Sequence, residues 1–349
     1  MAASAAAGRA AAPPSLAGLS GLSGELLFGT CNLPTCDTLA FAALNLTDGS
    51  EATLFDFPLD SFEDGYVASN LLVGGDMVIS LQYDGAPSQG FLATFDIAAR
   101  RLTGGFNASF CFGLWRDPAD ASGDALLCMA LEPSCDGGAQ CSQLRRLSRG
   151  ARTDTLLYSF APNYAPYTVD TLDAARGLIY SLFGPLDGAG GDVMFAVNAS
   201  GVVAQVPVRH SLSFLELEYD ARSGAVFAVV EDAAPGAPRG AYLATVDPAT
   251  GAAAPVGGVP NVMNNSYWNQ WNTISTIAPE IGAFFSTAFH YDVPGPPPSD
   301  PILHLVGNSL VDGSIIYDEV VANPFCEILW LPNGRGSARG RAALSGEVA

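Results

Sequence analysis

The sequence predicts an all-β fold, a six-bladed β-propeller, from three observations. The first is a repeated phrase: GFLATFDIAARRL (90–102) and GAYLATVDPATG (240–251) both write Leu-Ala-Thr-x-Asp after a glycine and before a turn. FAALNLTDG (41–49) and VMFAVNASG (193–201) fit the same template. The second is spacing, since the anchors Asn45, Asp96, Asn198 and Asp247 stand 51, 102 and 49 residues apart. The double step calls for a copy near residue 148, where QLRRLSRGA (143–151) supplies Ser148. ILHLVGNSLVDG (302–313) continues the series with Asn308 after 61 residues, the proline insert VPGPPPSD (293–300) taking up the extra length. The third is a strand–turn–strand phrase, TLDAARGLIYSL (171–182), matched by EYDARSGAVFAV (218–229) and more loosely by TIAPEIGAFFSTA (276–288).

Each unit therefore reads as a meander of four short strands rich in Val, Phe, Tyr, Leu and Thr, punctuated by Asp, Asn and Gly. The anchor Asn or Asp has a mechanical role, because its short side chain accepts a backbone N–H two residues on and fixes the turn between the third and fourth strands. Four-strand units repeating every 40 to 50 residues stack radially, because one twisted sheet cannot bury both faces alone. Five complete units start near Tyr66, Phe110, Tyr167, Ser213 and Trp271. Three strands remain at the front, within 25–57, and one at the back, FCEILWLPN (325–333), which repeats the opening of the third unit, FCFGLWRDP (110–118). The expected closing blade is thus composite, with its first strand from 325–333 and its other three from 25–57. One domain, 25–333, is expected. MAASAAAGRAAAPPSLAGLSGLSG (1–24) reads as a disordered or targeting leader without a continuous apolar stretch, and 334–349 as a disordered tail.

LATVDPATGAAAPVGGVPN (243–261) resembles the repeat of the YVTN and quinoprotein-like propellers, in which a strand ends in Asp, a turn follows and a valine-rich strand closes the blade. The resemblance implies the fold; propellers of this kind serve as enzymes, ligand binders and scaffolds alike. No Tyr-Val-Thr-Asn occurs here, and no tryptophan recurs once per blade as in the cofactor-binding quinoproteins.

Charge narrows the partners. The net charge is −20, and the body 25–333 holds eleven arginines against 34 acids, a net of −23. Such a body repels phosphate backbones and anionic membrane surfaces, so nucleic acid is excluded as a partner. Every basic residue is an arginine and the chain holds no lysine, which together with much Ala, Gly and Pro reads as a GC-rich genome. No apolar run approaches the roughly 20 residues that span a bilayer. A monomer that takes a protein or carbohydrate partner is expected.

Seven cysteines are present: Cys31, Cys36, Cys111, Cys128, Cys135, Cys141 and Cys326. Cys135 and Cys141 flank DGGAQ in an expected hairpin, and Cys111 and Cys128 fall on adjacent strands of one blade. By the same logic Cys326 and Cys31 would join the two chain ends, with Cys36 competing. The other reading leaves all seven reduced, as small core residues. Zinc is disfavoured by the irregular spacing. Asn-x-Ser/Thr acceptors stand at Asn45, Asn107, Asn198 and Asn264. Cysteines and acceptors together point to a secreted glycoprotein; organellar and cytoplasmic locations are the alternatives.

Two candidate sites follow. In NVMNNSYWNQWNT (261–273), Tyr267, Trp268, Asn269 and Trp271 combine aromatic faces with amides, which is what a neutral sugar or small polar ligand needs. The competing reading is aromatic packing between blades. The inner-strand residues Asn70, Asp170, Glu216, Glu218, Asn272 and Glu327 can line the central channel. Asn70, Asp170, Glu216 and Glu327 are the candidate ligands of a calcium ion, a hard cation that takes several oxygens. Six-bladed lactonases hold such an ion, but their Ser-Asn-Gly and Trp-Ser motifs are absent here, and solvated carboxylates are the competing reading. DPADASGDA (117–125) and LDGAGGDV (186–193) miss the spacing of a calcium loop and read as turns. No catalytic residue is assigned, because no Gly-x-Ser-x-Gly, P-loop or dinucleotide fingerprint occurs in usable context. The expected function is a binding module for a carbohydrate or other polar ligand. The alternatives are a calcium-dependent hydrolase and a structural scaffold.

Overall fold

The computed structural model describes residues 25–31, 38–46, 50–58, 62–73, 75–83, 85–132, 141–160, 164–185, 191–209, 211–232, 234, 240–262, 266–267, 274–290, 302–320 and 325–331. Strands dominate, and the one helical piece among these residues is a 3-10 turn at Val256–Gly258. In chain order the strands run β1 (Glu25–Cys31), β2 (Thr38–Asn45) and β3 (Glu51–Pro58), then β4 (Phe62–Val73), β5 (Asp76–Tyr83), β6 (Ala86–Asp96) and β7 (Arg101–Ser109). Next come β8 (Cys111–Arg116), β9 (Ala125–Glu132), β10 (Cys141–Ser148) and β11 (Thr153–Ser159), followed by β12 (Tyr164–Asp173), β13 (Leu178–Pro185), β14 (Val193–Asn198) and β15 (Gly201–Pro207). β16 (Leu212–Asp220), β17 (Ala225–Asp232), β18 (Tyr242–Asp247) and β19 (Ala252–Pro255) make a further set. The short β20 (Ser266–Tyr267) and β21 (Ser275–Ala278) both pair along β22 (Ala283–His290), which leads to β23 (Ile302–Ser309) and β24 (Ile315–Val320). β25 (Phe325–Leu331) completes the series.

Among the described residues these strands form six antiparallel sheets, β4–β7, β8–β11, β12–β15, β16–β19, β20–β24 and β25-β1-β2-β3. In the last, Leu331 lies opposite Glu25 and Trp330 opposite Leu26, so the final strand among the described residues pairs with the first. The leading strands touch in rotation: β4 packs on β8, β8 on β12, β12 on β16, β16 on β21, β21 on β25 and β25 on β4. They therefore surround an axis, while β3, β7, β11, β15, β19 and β24 lie at the sheets' outer edges. This is a β-propeller arrangement.

Burial follows the same geometry. In β14, Val193–Val197 are all buried, because a middle strand is covered by neighbouring sheets on both faces; the next strand outward, β15, is largely exposed. Each junction between neighbouring sheets has its own apolar cluster. Phe183, Phe195 and Phe160 form one between the third and fourth meanders, with ring centroids 4.7 Å apart for Phe183–Phe195 and 5.2 Å for Phe160–Phe183. Truncating such a phenylalanine costs about 3–5 kcal/mol. Trp330 of β25 stacks on Phe285 of β22 at 6.4 Å, and Leu331 joins the cluster of Phe41, Met77 and Phe95, so β25 binds sheets on both sides.

The anchors do the turn work expected of them, with variation. Asn198 Oδ1 accepts the N–H of Ser200 at 2.8 Å, and Asp247 Oδ1 that of Ala249 at 2.9 Å. Asp96 and Ser148 instead accept from the third residue on, Ala99 and Ala151. Asn308 departs, its amide donating to the Gly313 carbonyl at 3.2 Å. A disulfide joins Cys111 and Cys128 with their Cα atoms 5.4 Å apart, Cys128 standing mid-strand in β9. Cys141 is also disulfide-bonded, while Cys36 and Cys135 lie outside the described residues. Cys31 ends β1 and Cys326 sits at the register shift where Thr30 opposes Phe325 and Gly29 opposes Glu327.

Candidate functional site

The leading strands surround the axis, so the polar residues on them are the candidates for lining it. Most of the strands there break their register, β4, β8 and β25 among them. β12 shifts between Pro166 and Asp170, and β16 between Phe214 and Glu216. Such bulges re-aim the side chains that follow. Asp170 and Glu218 are each enclosed by protein yet keep some solvent-accessible surface. Glu216 is 5% exposed.

Seams between inner strands are stitched by hydroxyls. Thr171 Oγ1 on β12 accepts the N–H of Tyr219 on β16 at 2.8 Å, and Thr276 Oγ1 on β21 accepts that of Trp330 on β25 at 3.1 Å. In the repeated phrase Thr171 and Thr276 are equivalent, and the equivalent of both in EYDARSG is Glu218. Here the seam carries a carboxyl group, whose Oε1 accepts from the Ser275 hydroxyl at 2.9 Å. Ser275, on β21, belongs to the next sheet round the ring.

Asp170 packs against the backbone of β8. A Cβ at Gly113 would lie 2.7 Å from Asp170 Oδ2 and 2.4 Å from the Trp115 ring, so glycine is what lets the carboxyl group and the indole converge. Oδ2 is buried and has no hydrogen-bond partner. Burial drives the Asp170 carboxyl well above the usual carboxylate range, and the charge of Glu218 adds to the shift. Burial likewise pushes Glu218 up to about 7, against the opposing hydrogen bond from Ser275. Both shifts disfavour the charged form, and no arginine contributes to either.

The sequence-predicted residues divide accordingly. Asp170 and Glu216 stand on neighbouring inner strands, β12 and β16; Asn70 lies on β4 and Glu327 on β25, both inner strands, their side chains outside the described residues. Among the described residues no three His, Cys, Asp or Glu side chains converge as metal ligands. Tyr267 opposes Phe289 on the inner edge of β22, and Ser275 opposes Ser286. The seven residues 268–274 thus connect positions that two residues, 287–288, connect on the partner strand. Trp268, Asn269, Trp271 and Asn272 fall within that excess and outside the described residues; Asn264, ahead of it, also lies outside them. Asn107 is exposed and its Oδ1 accepts the Tyr83 hydroxyl at 2.8 Å; Asn45 and Asn198 sit at turns. The loop 117–125 is a turn: Asp120 accepts N–H groups from Ser122 and Ala125, at 3.0 and 2.6 Å. Sequence reasoning missed Ser275, Thr171 and Gly113; the Thr-to-Glu exchange inside the repeat was the available signal. No helix among the described residues is long and apolar enough to cross a membrane.

No family model and no curated protein matches the chain. Solved structures do. A protein from Bacteroides uniformis provisionally described as a 6-phosphogluconolactonase is similar over 88% of this chain and 99% of its own, with 12% identity and a TM-score of 0.50. A provisionally described TolB from Agrobacterium tumefaciens is similar over 89% of this chain and 100% of its own, with 8% identity and a TM-score of 0.50. At these identities the likeness shows the fold, a β-propeller.

Proposed function

We propose that the chain is a six-bladed propeller, one ring over 25–333 closed by the composite sheet β25-β1-β2-β3, that binds a small polar ligand in its axial channel. One observation carries this reading: the Asp170 carboxyl group, held on an inner strand with a buried oxygen that makes no hydrogen bond. Folding gains nothing from such a group, and an asparagine or leucine would cost less there. A polar ligand supplies what the fold does not. Glu218 and Ser275 extend the polar wall from the neighbouring sheets. The aromatic and amide segment begins at Tyr267, three positions along β22 from the level of Ser275, roughly 10 Å away at the rise of a strand. The odd offset puts Tyr267 and Ser275 on opposite faces of the sheet, so a carbohydrate on Tyr267, Trp268, Asn269 and Trp271 would be a site separate from the channel. The Cys111–Cys128 disulfide supports a secreted location for this module, with Asn107 as its exposed glycan acceptor.

The test is a thermal-shift screen of monosaccharides, polyols, amino sugars and amines on wild type and Asp170→Asn. A ligand that raises the melting temperature of wild type but not of the variant is expected. A screen in which no compound distinguishes the two proteins overturns the channel site. The calcium reading, in which Asn70, Asp170, Glu216 and Glu327 share an ion that serves a hydrolase, predicts a large fall in melting temperature on chelation. An unchanged melting temperature in EDTA removes it.

A further inference from the structure

The polar wall of the channel has a definite charge preference, and this inference rests on the channel-binding reading above. We infer that the Asp170–Glu218–Ser275 wall receives an alkylammonium group, so that the ligand is an amine rather than a neutral sugar. Held ionised by a bound cation, two carboxylates and a hydroxyl offer acceptors in excess of donors: the Ser275 hydroxyl already donates to Glu218 Oε1, and Asp170 Oδ2 receives nothing. An ammonium carries three donors and no acceptor, which matches that imbalance. A sugar hydroxyl brings an acceptor for every donor and leaves it unmatched.

Charge points the same way. Glu218 acts on Asp170 through its negative charge, and no arginine offsets the pair. An internal ammonium is ruled out because the chain contains no lysine. The body's net −23 draws cations toward any opening in the ring, and low-dielectric walls concentrate that field in a channel. A calcium ion takes six to eight oxygens, whereas an ammonium is satisfied by three acceptors.

The experiment uses paired probes that differ by one group: glucosamine against glucose, and putrescine against 1,4-butanediol, titrated calorimetrically into the full chain at pH 7.5. Each amine is expected to bind at least tenfold more tightly than its hydroxyl twin, with Asp170→Asn and Glu218→Gln each erasing that preference. Both variants are near-isosteric and so should fold; a melting curve on each checks this. Glucose binding as well as glucosamine, with Asp170→Asn weakening both, overturns the ammonium but leaves the channel site standing. Failure of all four probes to bind wild type overturns the ammonium outright. The wider screen of wild type against Asp170→Asn then decides the channel reading separately.

Discussion

Carboxylates at the turns and carboxylates on the inner strands are the same chemical group under opposite constraints. At the turns, backbone N–H and hydroxyl groups converge on each oxygen. Asp120 is held down at about 2 chiefly by the N–H of Ala125 and the Ser122 hydroxyl. The Thr250 hydroxyl lowers Asp247, the Ser314 hydroxyl lowers Asp312 and the Ala234 N–H lowers Asp232. On the inner strands the backbone donors are already committed to the ladder, burial removes water, and Asp170 and Glu218 rise instead. The difference separates acid that serves the structure from acid that burdens it: the turn aspartates complete the fold, and the inner-strand carboxyls oppose it.

The comparison is broken most forcefully at a turn. Asp220, 4% exposed, accepts the N–H groups of Arg222 at 2.9 Å and Ser223 at 3.1 Å at the hairpin between β16 and β17. Asp220→Ala strands those donors and should cost about 2–4 kcal/mol in urea unfolding. A loss under about 0.5 kcal/mol, the range of an ordinary surface change, would place the turn carboxylates outside the structural set.

The opposite sign is expected two residues away. Glu218 has a folded value of about 7 against an ordinary value of 4.5, so the folded state holds its proton over that interval and the unfolded state does not. Its contribution is full below the unfolded value and is lost as pH rises through the folded one. Glu218→Gln should therefore gain roughly 1–3 kcal/mol at pH 8 and little at pH 4. Destabilisation at pH 8 would mean that the carboxylate is needed by the fold, and the contrast between the two regions would fail.

How far this contrast was legible in the sequence depends on backbone register. The meander units could be read because turn chemistry is local. Asp247, followed by Pro-Ala-Thr-Gly, makes its bonds within four residues, and the DARSG turn at Asp220 repeats the DAARG phrase at Asp173. The pairing of β25 with β1 was legible for the same reason, since three strands at one end and one at the other leave a single completion. The channel was harder. Counting alternate residues along 164–173 or 212–220 fails once a bulge intervenes, because every later side chain changes face. Glu216 and Glu218 stand two apart beyond the bulge and so share a face, yet only Glu216 entered the expected metal set. Gly113 and Ser275 act across sheets, and no local pattern announces a contact with residues 57 positions away.

A pH profile sharpens the comparison across the whole molecule. The lowered turn carboxylates contribute stability above their unfolded values and lose it as pH falls toward about 2. The raised channel carboxyls lose theirs as pH rises through about 7. Together they set a maximum in melting temperature between about pH 4 and 5, more acidic than the usual range of roughly 5 to 8. A profile flat from pH 5 to 8 would show that the channel groups titrate normally.

The smallest effect isolates one turn. Asp120 Oδ1 accepts the Ser122 hydroxyl at 2.7 Å and Oδ2 accepts the Ala125 N–H at 2.6 Å, so both oxygens are used. Asparagine offers one carbonyl oxygen and turns an NH₂ toward a donor, so Asp120→Asn should lower the melting temperature by less than Asp220→Ala does. Its pH dependence is the informative part. Because the folded value lies below the unfolded one, the difference from wild type should be constant above about pH 4 and shrink as pH falls toward 2. Combined with Glu218→Gln, the two shifts should add, since the residues share no partner and act on opposite limbs of the profile. Non-additive melting temperatures would instead tie the turn and the channel into one electrostatic unit.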